Sequence, residues 1–245
     1  NSEPAVYLQA NTLKISGEEL LARLQEGGVK ARPGRLPGEA MAERPGDIRR
    51  LPGYAGGLFY VQDEAARTAV EAAAPRRGER VLDACAAPGG KSFAAAMLMG
   101  GEGRILACDI QAKKLARIEE GARRLGIGII ETRAMDARRP AAELEGAFDV
   151  VIADVPCSGL GVIRKKPEIR YKPRAELAAL PQIQMEILRA VSRCVAAGGR
   201  LLYSTCTLLE EENGGVVRAF LKDGGFTVRQ ERTLWPDTDG TDGFY

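Results

Sequence analysis

From Val81 onward, short apolar runs end repeatedly in an aspartate or lead into a cysteine, and helical periodicity separates one run from the next. Arg80–Ala84, Arg104–Asp109, Ile129–Ala134, Phe148–Asp154 and Arg200–Thr205 read as five strands. The segments Ser92–Met99, Gln111–Leu125 and Arg174–Ala196 read as helices, the last closed by Gly198-Gly199. Leu209–Lys222 reads as another helix, and Phe226–Arg229 as the start of a final β pair. Strand and helix in alternation build a parallel sheet covered on both faces. Phe148–Asp154, apolar on both faces, suits its centre. Ligands of such sheets lie beyond the carboxyl ends of the strands. Five strand ends there would bring together Asp83 and its following loop, Asp109, Asp136, Asp154–Cys157 and Cys206.

The first 60 residues follow another pattern. Ala5–Ala10 is strand-like, and Ser16-Gly17-Glu18-Glu19 opens a helix with a capping box. A Pro/Gly/Arg-rich segment runs from Arg32 to Gly57, and a helix over about Gln62–Ala73 leads into the main domain. The expected organisation is a small N-terminal α+β subdomain, residues 1–60, and an α/β domain with a mostly parallel sheet, residues 61–245.

Composition narrows the chemistry. The chain has no histidine, which removes the Ser-His-Asp and Cys-His arrangements and the usual imidazole base. Five cysteines without a CxxC pair argue against a disulfide framework or a zinc site, and suggest reduced thiols in a cytoplasmic protein. No apolar run reaches membrane-spanning length, and no signal pattern opens the chain. The net charge of +2 says little, but its distribution says more. Arg164, Lys165, Lys166, Arg170, Lys172 and Arg174 face only Glu168 in their stretch.

The loop Cys85-Ala86-Ala87-Pro88-Gly89-Gly90-Lys91, between a strand and a helix, is built to cradle a polar ligand on backbone N–H groups. It lacks the G-x-G-x-x-G spacing of a dinucleotide loop. Gly90-Lys91-Ser92 completes a triphosphate loop, but Cys85 stands where that loop needs its first glycine. A nucleoside bearing an amino acid, as in S-adenosylmethionine, needs close backbone approach and an acid at the end of the second strand, where Asp109 stands. Asp136 and Asp154 fall in register at later strand ends. A rossmann-like S-adenosylmethionine methyltransferase fold fits this set best; a nucleotide hydrolase is the weaker alternative.

Asp154-Val155-Pro156-Cys157 and Ser204-Thr205-Cys206 follow neighbouring strands, so both thiols belong on the cofactor rim. Thiols there answer a specific need. Carbon 5 of cytosine is a poor nucleophile until a thiolate adds to carbon 6 and makes it enamine-like. Lys91 and the helix N-terminus are the positive charges available to lower a thiol pKa. Asp154 is the candidate to hold the cytosine ring at N3.

These motifs, together with Asn11–Lys14, Leu51–Tyr54, Val61–Asp63, Glu211-Glu212-Asn213 and Asp242-Gly243-Phe244, resemble the Sun family of RNA cytosine-5 methyltransferases, in particular its bacterial small-subunit ribosomal RNA type. The resemblance covers nearly the whole chain. It implies that Cys206 is the nucleophile and that Cys157 assists product release. It also implies that Cys85, Ala86, Ala87, Pro88, Gly89, Gly90, Lys91, Asp109, Asp136 and Asp154 line the cofactor site. In cytosine-5 DNA methyltransferases the Pro-Cys thiol is the nucleophile, so exchanged roles are the minor alternative. Such proteins usually carry a helical RNA-binding domain ahead of this region, to which no residues here correspond. RNA, expected to be ribosomal, would then be bound by residues 1–60 and by the basic segment from Arg164 to Arg174, with the chain a monomer. A catalytically silent RNA-binding scaffold on the same fold is the rival outside enzymology.

Overall fold

The computed structural model describes residues 5–173 and 177–245. Its centre is a parallel sheet of β5 (Arg80–Asp83), β6 (Arg104–Asp109), β7 (Ile130–Ala134), β8 (Phe148–Asp154) and β9 (Val195–Ser204), in the order β7-β6-β5-β8-β9. The first three strands step outward to one side, and the chain then crosses back to start the other side at β8. The crevice where strand order reverses therefore lies between β5 and β8, which carry Asp83 and Asp154 at their ends. Val150, Val151, Ile152 and Ala153 of β8 are fully buried, as the run of apolar residues requires. Edge strand β7 is the polar one; Glu131 and Arg133 blunt it against further pairing.

Helices cover both faces. Val70 and Ala73 of α2 (Glu64–Ala73), Phe93–Met97 of α3 (Gly90–Leu98) and Leu115, Ile118, Ala122 and Leu125 of α4 (Ala112–Leu125) join one apolar cluster. On the other face, Ile187 and Val191 of α5 (Leu180–Ser192) pack with Leu82, Cys108 and Val151. No helix among the described residues is long and apolar enough to cross a membrane.

A second, antiparallel sheet has the order β2-β3-β1-β4 and contains β1 (Val6–Ala10), β2 (Ala31–Pro33), β3 (Glu39–Ala42) and β4 (Phe59–Val61). Helix α1 (Gly17–Glu26) buries Leu20 and Leu24 against it, and both halves of the Ser16/Glu19 capping box form. Polar bonds fasten this layer to the main sheet. Asn11 Nδ2 donates to Gly57 O and Leu125 O at 2.8 and 2.7 Å, so it caps the end of α4 from another element. Arg124 of α4 returns the contact by donating to the carbonyls of Tyr54 and Phe59. Buried Gln9 bonds Glu39 and Arg67, joining β1, β3 and α2.

Five expectations need correction. The Pro/Gly/Arg-rich segment contains β2 and β3, whose short edge lengths leave little alternation to read. The helix expected over Arg174–Ala196 ends at Ser192, and its expected start, Arg174, lies outside the described residues. Gly198-Gly199 sits inside β9, where pairing jumps from Phe148↔Val195 to Val150↔Arg200, so the glycines mark a bulge rather than a helix stop. Leu209–Lys222 is broken at Asn213 into a 3₁₀ turn, Glu210–Glu212, and α6 (Gly214–Leu221), because the Asn213 side chain bonds Thr205 and Thr207 instead of continuing a helix. Phe226–Arg229 forms no strand; the late pairing is a bridge between Leu234 and Phe244, followed by Tyr245 exchanging both backbone bonds with Thr205.

Candidate active site

The loop after β5 turns tightly: Ala86 N donates to Cys108 O, Gly89 N donates to Ala86 O, and the Ala87–Pro88 bond is cis. Gly89 has φ +112°, and a Cβ there would meet the Phe93 ring at 2.7 Å, so only glycine fits. α3 begins at the next residue and turns its first N–H groups toward the loop. Asp83 is fully buried beneath it. Ser92 Oγ donates to Asp83 Oδ2 at 2.7 Å, while Oδ1 has no hydrogen-bond partner. Burial lifts the Asp83 pKa to about 6, against the Ser92 bond and the Lys91 charge. Burial also pushes the Cys85 thiol far up, which leaves it an inert wall of the loop.

Asp109 ends β6, nearly buried, and accepts from Gln111 N at 2.9 Å. Asp136 lies past the end of β7, where the Arg138 guanidinium forks onto both its carboxylate oxygens and holds its pKa below the usual range.

Lys91 reaches from α3 across the crevice to β8. Its Nζ donates to Asp154 Oδ2 at 2.7 Å and lies 5.0 Å from the centre of the Phe244 ring. Ser204 Oγ donates to the other oxygen, Asp154 Oδ1, at 2.9 Å. The carboxylate is thereby aimed from both sides and keeps lone pairs for a third group.

Beyond Asp154, the Sγ atoms of Cys157 and Cys206 stand 3.2 Å apart, both partly buried. Either sulfur could donate on geometry alone; the surroundings break the tie. The hydrogen bond from Cys157 lowers the Cys206 pKa, burial and Asp154 oppose this, and Lys91 and Lys166 assist it. The same bond and burial push Cys157 up. The two thiols are thus shifted in opposite directions, Cys206 down and Cys157 up.

Buried polar groups absent from the sequence reading hold this geometry. Glu212 accepts from Ser158 N and from Gln184 Nε2, which also donates to Pro156 O, so the Cys157 loop is gripped on both sides. Ser158 Oγ donates to Thr207 Oγ1 across the two cysteine loops. Gly161 N donates to Cys206 O, and Gly161 lies so near Gly243 that a Cβ would stand 1.9 Å from its carbonyl oxygen. Lys165 joins Asp63 and Asp242 at 2.5 and 2.7 Å, clamping the start of α2 to the end of the chain. Against burial, which would lower it, those two carboxylates raise the Lys165 pKa. Lys172 donates to Ser158 O. Two ammonium groups of the basic segment thus serve internal bonds, and Arg164 reaches Asp242 at 3.9 Å, while Arg164, Lys166 and Arg170 stay exposed to solvent. Loop residues of this kind carry no periodicity, so only the Glu-Glu-Asn and Asp-Gly-Phe motifs hinted at them.

An apolar cavity of about 410 Å³ lies elsewhere, between α2, the open edge of β9 and residues 226–232. None of the strand-end acids or thiols lines it.

Residues 70–245 match the family described as 16S rRNA methyltransferase RsmB/F. The chain belongs to that family. Among its relatives, the probable ribosomal RNA small subunit methyltransferase B of Bacillus subtilis is 39% identical over 222 residues, covering 90% of this chain and 50% of the relative. The crystal structure of PH0851 superposes with a TM-score of 0.93 at 33% identity, over 100% of this chain and 58% of the other. NSun6 from Pyrococcus horikoshii, solved with SFG, shares the fold, with a TM-score of 0.85 at 22% identity over 98% of this chain and 88% of the other. The chain spans about half the length of the curated relatives it matches, between 50% and 59%. RsmB/F membership agrees with the Sun-family motifs, and the Rossmann-like sheet is the one the strand pattern anticipated.

Proposed function

We propose that the chain methylates carbon 5 of a cytosine in small-subunit ribosomal RNA, with S-adenosylmethionine as methyl donor and a Cys206–carbon 6 adduct as intermediate. The observation that carries this reading is the contact of two unlike thiols beside the Lys91–Asp154 pair. Membership in a family described by 16S rRNA methylation supports the substrate class.

The residues at the switch point suit the donor. A buried aspartate oxygen without a partner, at Asp83, underlies a loop of backbone N–H groups. Cys85 through Lys91, Asp109, Asp136 and Asp154 would hold the nucleoside and its amino acid, and SFG bound to NSun6 is an analogue of this donor. When bound, the donor supplies an electrophilic methyl group. Cys206, already biased toward thiolate, adds to carbon 6 and makes carbon 5 nucleophilic. Asp154, steadied by Lys91 and Ser204, receives the base at N3 and fixes its approach. The carbon 5 proton of the methylated adduct then leaves to solvent as the carbon 6–sulfur bond breaks and Cys206 departs, and Cys157, in contact with that sulfur, assists the elimination.

RNA would be held by residues 1–60, an RNA-recognition-like subdomain beside the methyltransferase domain of 61–245, and by the exposed part of the Arg164–Arg174 segment. Tyr171, 83% exposed between Arg170 and Lys172, offers a stacking face within that segment. The target base must leave its stack to reach the thiols.

Expression of Cys157→Ala in cells tests the reading. A slower, ribonuclease-sensitive protein band is expected on a denaturing gel, lost in the Cys157→Ala/Cys206→Ala double variant. Methyl transfer that persists with no trapped band would remove the release role. Trapping by Cys206→Ala instead would exchange the two roles.

A further inference from the structure

Two sulfurs 3.2 Å apart in one open rim are chemically poised for more than base addition. A disulfide needs about 2.05 Å between its sulfurs, so closure asks for roughly one ångström of movement. The loops that carry them already converge, tied by Ser158–Thr207, by Gly161 N to Cys206 O, and by the common anchor Glu212. We propose that Cys157 and Cys206 form a reversible oxidation site, which takes a hydroperoxide and closes to an intramolecular disulfide.

The step balances without a metal. The Cys206 sulfur attacks one peroxide oxygen; a sulfur–oxygen bond forms as the oxygen–oxygen bond breaks, and hydroxide leaves as water after taking a proton. Cys157 then attacks the sulfenyl sulfur. The sulfur–sulfur bond forms, the sulfur–oxygen bond breaks, and the Cys157 proton departs with the oxygen as a second water. Two thiols lose two electrons and the peroxide gains them. A thiol reductant reverses the reaction by exchange.

The remaining cysteines are poor competitors. Cys108 and Cys194 are buried, and burial holds the Cys85 thiol protonated. An attacking sulfur with a resolving thiol in contact is protected from deeper oxidation, because closure outruns a second encounter with peroxide. The closure rests on sulfur geometry alone. Its consequence, that neither sulfur can add to a base until reduced, rests on the function proposed above.

Hydrogen peroxide at equimolar dose on the purified full chain is the test. Thiols counted after denaturation are expected to fall from five to three, with the intact mass lower by about 2 Da and the Cys157 and Cys206 peptides cross-linked. Dithiothreitol restores all five thiols. Cys157→Ser, given peroxide in excess, is expected to gain two oxygens at Cys206 as sulfinic acid, which dithiothreitol fails to remove. Oxygen accumulating on Cys206 of the parent chain without cross-linking, or cross-links to Cys85 or between molecules, would overturn the proposal. The mass readout needs neither RNA nor methyl transfer, so its failure is separable from failure of the catalytic reading.

Discussion

Replacing Asp83 by asparagine isolates the electrostatic cost of an acid under the cofactor loop. Its pKa rises from the ordinary 3.8 to about 6, mainly through burial. A carboxyl raised on folding contributes stability that is complete below its unfolded pKa and lost as pH climbs through its folded pKa. The window here runs from about pH 4 to about pH 6, and at 1.36 kcal/mol per pH unit the loss is about 3 kcal/mol. Asparagine does not ionise and escapes that loss. Relative to the parent, Asp83→Asn should gain about 1 kcal/mol at pH 4.5 and about 3 kcal/mol at pH 7.5. A pH-independent offset of roughly 1–2 kcal/mol runs the other way if the new amide N–H₂ finds no acceptor. The diagnostic is therefore the change with pH, not either value. Urea unfolding of both proteins at pH 4.5, 6.0 and 7.5 reads it directly. A stability difference that stays flat across that range would refute the argument, because the buried acid would then ionise like an exposed one. A difference that shrinks as pH rises would mean that Lys91 outweighs burial.

Three further outcomes follow from the site. Lys165→Met removes the cation shared by Asp63 and Asp242 and should cost about 2–4 kcal/mol in urea unfolding, with partial rescue by adding Asp242→Asn; equal stability of the single variant would discount the clamp. Gly161→Ala forces a Cβ onto the Gly243 carbonyl and should cost about 1–3 kcal/mol while slowing Cys206 alkylation, whereas unchanged stability and reactivity would mean that the two segments part freely. Lys91→Met removes a charge that lowers Cys206, so the pH midpoint for alkylation of that thiol by iodoacetamide should move up. The thiol would then be less reactive at pH 7. A midpoint that stays in place would assign the bias to Cys157 and Lys166.

The parts of this molecule that were legible in its sequence share a physical reason. β8 announces itself because a strand buried on both faces must be apolar along its buried run, here Val150–Ala153, and the next residue, Asp154, then marks its end. The same logic located Asp83, Asp109 and both reactive cysteines. What stayed hidden depends on partners distant in the chain. Asn213 breaks a helix that its own neighbours favour, because Thr205 and Thr207 offer better bonds. Gly198-Gly199 reads as a helix stop until Val195 is seen pairing with Phe148. Lys165 and Lys172 look like part of an RNA-facing stripe, yet the carboxylates and the carbonyl that claim them come from 14 to 102 residues away.

Those hidden bonds explain how two cysteines of identical composition come to differ. Both end loops at one rim, and their mutual hydrogen bond is symmetric in distance. Asymmetry has to come from what surrounds them. Burial and Asp154 oppose a negative charge on Cys206, but Lys91 and Lys166 both favour it. Cys157 sits on a loop gripped through backbone groups by Glu212 and Gln184, with burial opposing its ionisation. The scaffold thus shifts the two thiols in opposite directions, without a histidine beside them. Lys91 also answers to Asp154, so under the function proposed above the group that would orient the base and the thiol that would attack it draw on one ammonium. In that reaction, positioning and activation would be coupled through a single side chain.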